Sequence, residues 1–508
     1  MNLDFESSLN DKQKEAVFSS EGPMLILAGA GSGKTRVLTY KIARLVNEGL
    51  ASPGEILAVT FTNKAAKEMQ DRIASMIPGT RFPFVNTFHS FCVKVLRSET
   101  PEDYSKNFVI YDESDKTSLI KTVMKELKAD TDRYPPSKMS SVISKLKNRM
   151  KGPDDLNRRV EEWDLIARIY ENYDKAMKSN NAMDFDDLLI NAYRAFKNDY
   201  VYADSLRRHL KYILIDEYQD INLIQYMLMR EICRNNDNIT VVGDDDQSIY
   251  RFRGADMSII LKFEDDYPHA HVVKLEQNYR STSTILDAAN ALMLHNKNRK
   301  QKKLWTAGAK GEKIRLSSLP NGGAEARFAV RKIKELIKGG SFTYKDFVII
   351  YRTNAQSRLF EEAMMQEGVP YRLVGANDFY KRAEIKDLTA YLKLIENPDD
   401  DVSFRRIVNV PPRGIGEIAE GRIEDAAREK SISLFEACRI MASSDLMSAR
   451  QKNSLSCFVD MIDSAREKSV SENAFDVLSY IAEASDYRGY LQSPSKSESN
   501  AVTFTLSS

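Results

Sequence analysis

The sequence predicts an α/β fold built on a parallel sheet with helical insertions, and three observations carry that prediction. Short apolar runs alternate with amphipathic helical stretches through the first third of the chain. A glycine-rich turn joins the first such run to the first long helix. From about Asp112 to Met183 the runs stop, and a stretch rich in Lys, Glu, Asp and Leu replaces them. Runs that are apolar at every position belong to strands covered on both faces, as in a parallel sheet flanked by helices.

In chain order, residues 23–28 read as a buried strand and about 33–48 as a helix. A second strand at 56–60 is followed by a helix over about 63–77, and strands at 212–215, 239–242 and 272–275 continue the series. The first α/β domain is thus expected in two parts, 1–111 and 184–276, around a helical insertion at 112–183. A second α/β domain is expected over 277–383, with helices near 325–338 and 357–367 and strands at 347–351 and 371–374. Residues 384–491 read as a second helical insertion. The polar, serine-rich stretch 492–508 reads as a disordered tail.

Composition bounds the function. The 508 residues are 42% hydrophobic and 29% charged, room for roughly three domains at ~150 residues each. No run approaches the ~18 apolar residues of a spanning helix, and Asp4 and Glu6 stand where a signal peptide is basic. A cytoplasmic protein is expected, without membrane partners. Cys92, Cys233, Cys438 and Cys457 form no CxxC pair and read as reduced thiols. With 74 basic against 73 acidic residues the chain is no bulk polycation, so nucleic-acid binding must use local patches.

The strongest motif is Ala28-Gly29-Ala30-Gly31-Ser32-Gly33-Lys34-Thr35, after a strand and before a helix. Phosphates need inward-facing N–H groups, which Gly29, Gly31, Ser32 and Gly33 can supply at close approach. The helix N-terminus adds a positive dipole, Lys34 a point charge for the terminal phosphates, and Thr35 a hydroxyl for Mg²⁺. Ala28 departs from the glycine usual at the first position. Ile213-Leu214-Ile215-Asp216-Glu217 ends a strand in two acids. Asp216 suits the Mg²⁺ of a bound ATP, and Glu217 suits the attacking water. In the segment Gly243–Gly254, Gln247 can sense the terminal phosphate. If that segment is extended, Tyr250 and Phe252 share one side, and Arg251 and Arg253 the other. One side could then stack bases while the other meets phosphates or carboxylates.

These motifs occur in one order with Gln13, Thr60-Phe61-Thr62-Asn63, Thr87-Phe88-His89-Ser90, Asp184-Phe185-Asp186-Asp187, Asp216-Glu217-Tyr218-Gln219-Asp220 and Gln277-Asn278-Tyr279-Arg280-Ser281. The ordered set closely resembles superfamily 1 DNA helicases of the UvrD/PcrA/Rep type, from about Leu9 to Leu491. The resemblance implies a P-loop NTPase with two RecA-like domains that binds single-stranded and duplex DNA. It implies ATP-dependent 3′-to-5′ unwinding in repair or replication, alongside the proteins of those pathways. Gln13 would read the adenine edge, Tyr279 stack on the base, Arg280 reach the terminal phosphate, and Arg36 line the cleft. Phe61, His89, Phe185, Tyr250 and Phe252 match positions that line the family's single-strand track, with Arg253 beside them. Arg352 and Asn354, in a segment like the family's strand-to-helix turn, imply either a DNA-backbone contact or a helix N-cap. Pro412-Arg413-Gly414-Ile415-Gly416 resembles a duplex-contacting loop or a plain turn. The basic run Lys297, Arg299, Lys300, Lys302 and Lys303 reads as a solvated face before a DNA contact.

The family also carries a Thr/His/Lys-Gly-Leu-Glu segment and a later Thr-Arg-Ala segment, and neither is found here. On that ground the second RecA-like domain is expected to be incomplete, with exposed apolar surface and poor activity. The competing readings are a P-loop kinase or GTPase, and an ATP- and DNA-binding fragment that does not unwind. Stimulation of ATP hydrolysis by single-stranded DNA separates them.

Overall fold

The apolar runs become the strands of a parallel sheet. A computed structural model describes residues 5–19, 21–251, 254–297, 299–374 and 383–492. The expected tail from 493 onward and two predicted DNA contacts, Phe252 and Arg253, lie outside the described residues. The strands are β1 (Met24–Ala28), β2 (Ile56–Thr60), β3 (Val85–Thr87), β4 (Val109–Tyr111), β5 (Ala182–Asp184), β6 (Tyr212–Ile215), β7 (Ile239–Gly243) and β8 (His271–Leu275). Six of them form one sheet in the order β3-β2-β6-β7-β1-β8, every pair parallel.

Alternation along each strand feeds two cores. Leu25 and Leu27, Leu57 and Val59, and Ile213 and Ile215 point into one apolar cluster. Met24 and Ile26, Ile56 and Ala58, and Tyr212 and Leu214 point into the other. Both faces are covered, which is why the runs carry no polar alternation. Only β8, at an edge, exposes His271 and Lys274.

The helices that matter to the site are α1 (Asp11–Phe18), α2 (Lys34–Asn47), α3 (Asn63–Met76), α4 (Phe88–Ser98), α5 (Glu113–Glu126), α6 (Pro136–Lys147), α7 (Glu161–Ser179) and α8 (Phe185–Lys197). Helices α5 to α7 make up the insertion, around a core of its own that includes Ile120, Ile143 and Tyr173. The insertion was expected to contribute no strand. Instead β4 and β5 pair in parallel at its base, Val109 opposite Ala182 and Tyr111 opposite Asp184. At three residues each, they are too short to stand out as apolar runs.

The chain divides into two units, residues 1–310 with 387–508, and residues 311–386. In the second unit α9 (Gly322–Lys338) and α10 (Ser357–Gln366) pack through Ala326, Val330, Ala363 and Val369. The strands expected at 347–351 and 371–374 do not form. Those segments have no ladder partner among the described residues, and Val348 and Ile350 are exposed. An apolar run becomes a strand only where another backbone pairs with it. Here the segments instead line an open cavity of about 1020 Å³ with Ile333, Phe360 and Met364. The helices expected from about residue 384 form, from Ala383–Glu396 to Ala474–Ala484, around a separate apolar cluster that includes Tyr391, Phe435 and Phe458. The cysteines are free thiols, Cys457 exposed and the other three buried. Among the described residues no helix is long and apolar enough to cross a membrane.

Candidate nucleotide and DNA site

The strand order sets the site. Strand β7 lies between β6 and β1, so the loops leaving their carboxyl ends converge, as binding loops of open α/β sheets do. Five residues turn the chain from β1 into α2. Gly31 and Gly33 take φ of 69° and 92°, the left-handed region that glycine adopts without strain. A Cβ would lie 2.7 Å from Asn278 Nδ2 at Gly31 and 2.8 Å from Gln13 Nε2 at Gly33. Ser32 Oγ donates to the Gly29 carbonyl at 2.7 Å and closes the loop.

Lys34 and Thr35 open α2 and face the end of β6. Lys34 Nζ donates to Glu217 Oε2 at 2.8 Å, and Thr35 Oγ1 lies 3.4 Å from Asp216 Oδ2. Glu217 takes φ 51°, a strained conformation for a residue with a Cβ, two residues past the end of β6. Gln219 Nε2 also donates to Glu217 Oε2 at 2.8 Å, and Gln219 Oε1 accepts from Asp244 N–H at 2.9 Å. This glutamine ties the ends of β6 and β7 together. Gln247 Nε2 donates to the Asp244 carboxylate from the same loop.

Burial, then the charge of Glu217, push the Asp216 carboxyl up to about 6, against the pull of Lys34. Asp220 is pushed up to about 6 by the same two causes, and its buried Oδ1 has no hydrogen-bond partner among the described residues. Desolvated carboxylates beside a hydroxyl suit a hard cation, so the residues fit Mg²⁺. The sign of the pH effect follows. Asp216 in the folded chain holds its proton above the unfolded value of 3.8, so its contribution to stability falls as pH rises from about 4 to about 6. A cation needs the ionised form. Mg²⁺-dependent nucleotide affinity is therefore expected to drop about fourfold from pH 7.5 to 5.5 in a fluorescent-nucleotide titration. A flat profile would put the cation on other ligands.

Gln13 is buried on α1, its Nε2 donating to Ser32 O at 2.9 Å and its Oε1 accepting from Asn10 N–H at 3.1 Å. Asn10 Nδ2 donates to the Tyr279 hydroxyl at 2.7 Å, and the Tyr279 ring is largely exposed. Residues 278–281 are held on the P-loop itself. Asn278 Nδ2 donates to Ala30 O at 2.5 Å and Tyr279 N–H to Gly31 O at 3.0 Å, while Asn278 Oδ1 accepts from Arg280 N–H at 2.8 Å. Arg280 is exposed beside the loop, as is Arg36, whose guanidinium lies 5.4 Å from the Tyr40 ring. Asn10, Gln219 and Asn278 were not singled out from sequence. The available signal was the place of Gln219 and Asn278 inside the motifs and of Asn10 three residues before Gln13.

Four of the predicted aromatic contacts form two pairs. Phe61, after β2, stacks on Tyr250, beyond β7, with centroids 4.8 Å apart. His89 meets the Phe185 ring edge-on at 5.3 Å, and burial holds its imidazole below the usual range. Phe185 opens α8, whose acidic first turn is gripped from the insertion. Lys147 reaches Asp184 at 3.0 Å and Asp187 at 2.7 Å, and Lys116 reaches Asp184 at 3.2 Å. Arg352 and Asn354 are exposed in the second unit, where Arg352 N–H donates to Gln356 Oε1 in a local cap.

Two motifs have structural partners that the sequence did not disclose. The basic run is not simply a solvated face. Lys302 is buried against Asp244, Asp245 and Asp246, Arg299 pairs with Asp246 at 2.9 Å, and Lys300 with Glu264. In the 412–416 loop, Arg413 Nη1 donates to Ile407 O at 2.8 Å and Val408 O at 3.1 Å, which pins the turn.

The family model for the UvrD/REP helicase N-terminal domain matches residues 9–268, and that for the UvrD-like helicase C-terminal domain matches 273–474. The chain belongs to the UvrD/REP helicase family. It is 41% identical to ATP-dependent DNA helicase PcrA of Bacillus subtilis (strain 168), over 97% of this chain and 67% of that protein. The PcrA helicases of Staphylococcus epidermidis (strain RP62A) and Staphylococcus aureus (strain Mu50) are 41% and 40% identical, each over 97% of this chain and 68% of their own length. As a UvrD/REP-type protein the chain is an enzyme of the ATP-dependent helicase class, with the P-loop in its N-terminal family domain. The match over 273–474 places both family domains in the chain and gives no support to the expectation of a second domain cut short or of the poor activity tied to it.

Proposed function

We propose that the chain is an ATP-driven motor that moves 3′ to 5′ along single-stranded DNA and separates duplex in repair or replication. The observation that carries this reading is the join between the P-loop and the end of β6, Lys34 with Glu217 and Thr35 with Asp216. In this reading Gly29, Gly31, Ser32 and Gly33 cradle the phosphates of ATP, and Lys34 and Arg280 compensate their charge. Thr35 and Asp216 hold Mg²⁺, which when bound neutralises charge on the phosphate oxygens. Glu217 accepts the proton of the attacking water, and Gln247 senses the terminal phosphate. Gln13, Tyr279 and Arg36 line the base end.

The single strand runs over Phe61, Tyr250, His89 and Phe185, and the family resemblance adds Phe252, Arg253, Arg352 and Asn354 as DNA contacts. Aromatic faces accept any base, which suits a motor that steps without reading sequence. The protein acts in the cytoplasm with repair or replication proteins as partners. Phe61→Ala is expected to weaken single-stranded DNA binding by about 1–3 kcal/mol in a low-salt anisotropy titration. Unchanged affinity would leave the Phe61–Tyr250 stack a packing contact.

The test of the whole reading is strand displacement by the purified chain. Unwinding that needs ATP and a 3′ single-stranded tail, with ATP hydrolysis stimulated by single-stranded DNA, is the expected result. Equal unwinding of a 5′-tailed duplex would overturn the polarity, and hydrolysis indifferent to DNA would overturn the motor.

A further inference from the structure

Helix α1 carries Gln13 and is eight residues long. A helix this short is marginal by itself, and its last carbonyls have no partner within it. Two cations of α2 take those carbonyls. Lys41 Nζ donates to Ala16 O at 3.1 Å and Ser19 O at 2.5 Å, with Met24 Sδ at 3.7 Å. Arg44, one turn on, donates from Nη1 to Val17 O at 3.0 Å and Phe18 O at 2.8 Å, and its guanidinium lies 4.9 Å from the Phe18 ring.

Lys41 is the unusual member of this pair. It is 2% exposed, makes no ion pair among the described residues, and burial pushes its ammonium down to about 7. A lysine buried without a counter-charge is a poor way to add stability, and an apolar side chain would fill the space with less desolvation. What the lysine supplies is direction. It fastens the C-terminal turn of α1 to the helix that begins with Lys34 and Thr35. The other end of α1 is already fastened to the P-loop through Gln13 Nε2 and Ser32 O.

We propose that Lys41 is a positioning residue for adenine recognition, gripping the C-terminal carbonyls of α1 so that the Gln13 amide is fixed relative to the P-loop. The inference rests on the reading of Gln13 as the group that meets the base. A hydrogen bond weakens steeply off its geometry, so a helix free to tilt would lose base selectivity before phosphate binding. The phosphates are held by the P-loop, which Lys41 does not touch.

The experiment is competition of a fluorescent ATP analogue by ATP and by UTP, on the full chain and its variants. Lys41→Met is expected to lower the preference for ATP over UTP about tenfold while UTP affinity changes less than about twofold. Lys41→Arg, which still donates to two carbonyls, is expected to restore the preference. Gln13→Ala is expected to abolish it, and the double variant to lose no more than Gln13→Ala alone. If Gln13→Ala keeps the preference, the reading of Gln13 fails and the inference falls with it. If Gln13→Ala loses the preference and Lys41→Met keeps it, the inference alone is overturned. Should Lys41→Met not fold, Lys41→Leu carries the test, because it likewise leaves Ala16 O and Ser19 O without their donor. An unchanged ATP-to-UTP ratio in that variant overturns the proposal.

Discussion

Lys34→Ala is expected to lose nucleotide binding by ~100-fold or more, about 3 kcal/mol. Two effects add. The side chain is the cation at the mouth of the P-loop, 11% exposed, so its attraction to a phosphate is only weakly screened. It is also the counter-charge of the acids at the end of β6. Glu217 is its ion-pair partner, and its charge holds down the carboxyls of both Asp216 and Asp220. Removing it leaves three acids facing an incoming polyanion. An equilibrium titration with a fluorescent nucleotide at saturating Mg²⁺ measures the loss. Equal affinity for variant and parent would mean that the loop is a glycine-rich turn with no phosphate in it.

The site was legible in the sequence to the extent that its chemistry is local. Strands β1, β2, β6 and β7 stood out because both faces are buried, and the P-loop because its glycines, lysine and threonine are contiguous. Lys34 and Glu217, 183 positions apart, could still be paired on paper, since a phosphate site needs both a cation and a base. What could not be read were contacts that depend on tertiary placement alone. The basic run reads as solvated until the Asp244–Asp246 triplet is seen to bury Lys302. Asn278 is one amide among many until its two ends join Ala30 to Arg280. The run at 347–351 has the composition of a strand, and composition does not supply the backbone that would pair with it.

Glu217→Gln is expected to reduce DNA-stimulated ATP hydrolysis by ~10²–10⁴-fold while nucleotide affinity stays within about threefold. The substitution keeps the shape of the side chain, and glutamine meets the same backbone demand at φ 51° as glutamate does. Its amide oxygen can still accept from Lys34, now without the charge. The metal position is not harmed. Glu217 is one of the groups that raise the Asp216 carboxyl, so neutralising it lets Asp216 ionise at lower pH and hold its cation more readily. What the amide cannot do is take a proton from water, and that is the step asked of Glu217. Single-turnover phosphate release with saturating single-stranded DNA measures the rate, and a nucleotide titration on the same preparation measures binding. The two numbers together decide the assignment. Lost hydrolysis with retained binding makes Glu217 the base and Asp216 the metal ligand. Lost binding with hydrolysis falling in step would exchange their roles, because only a metal ligand or a phosphate contact removes affinity when its charge is removed.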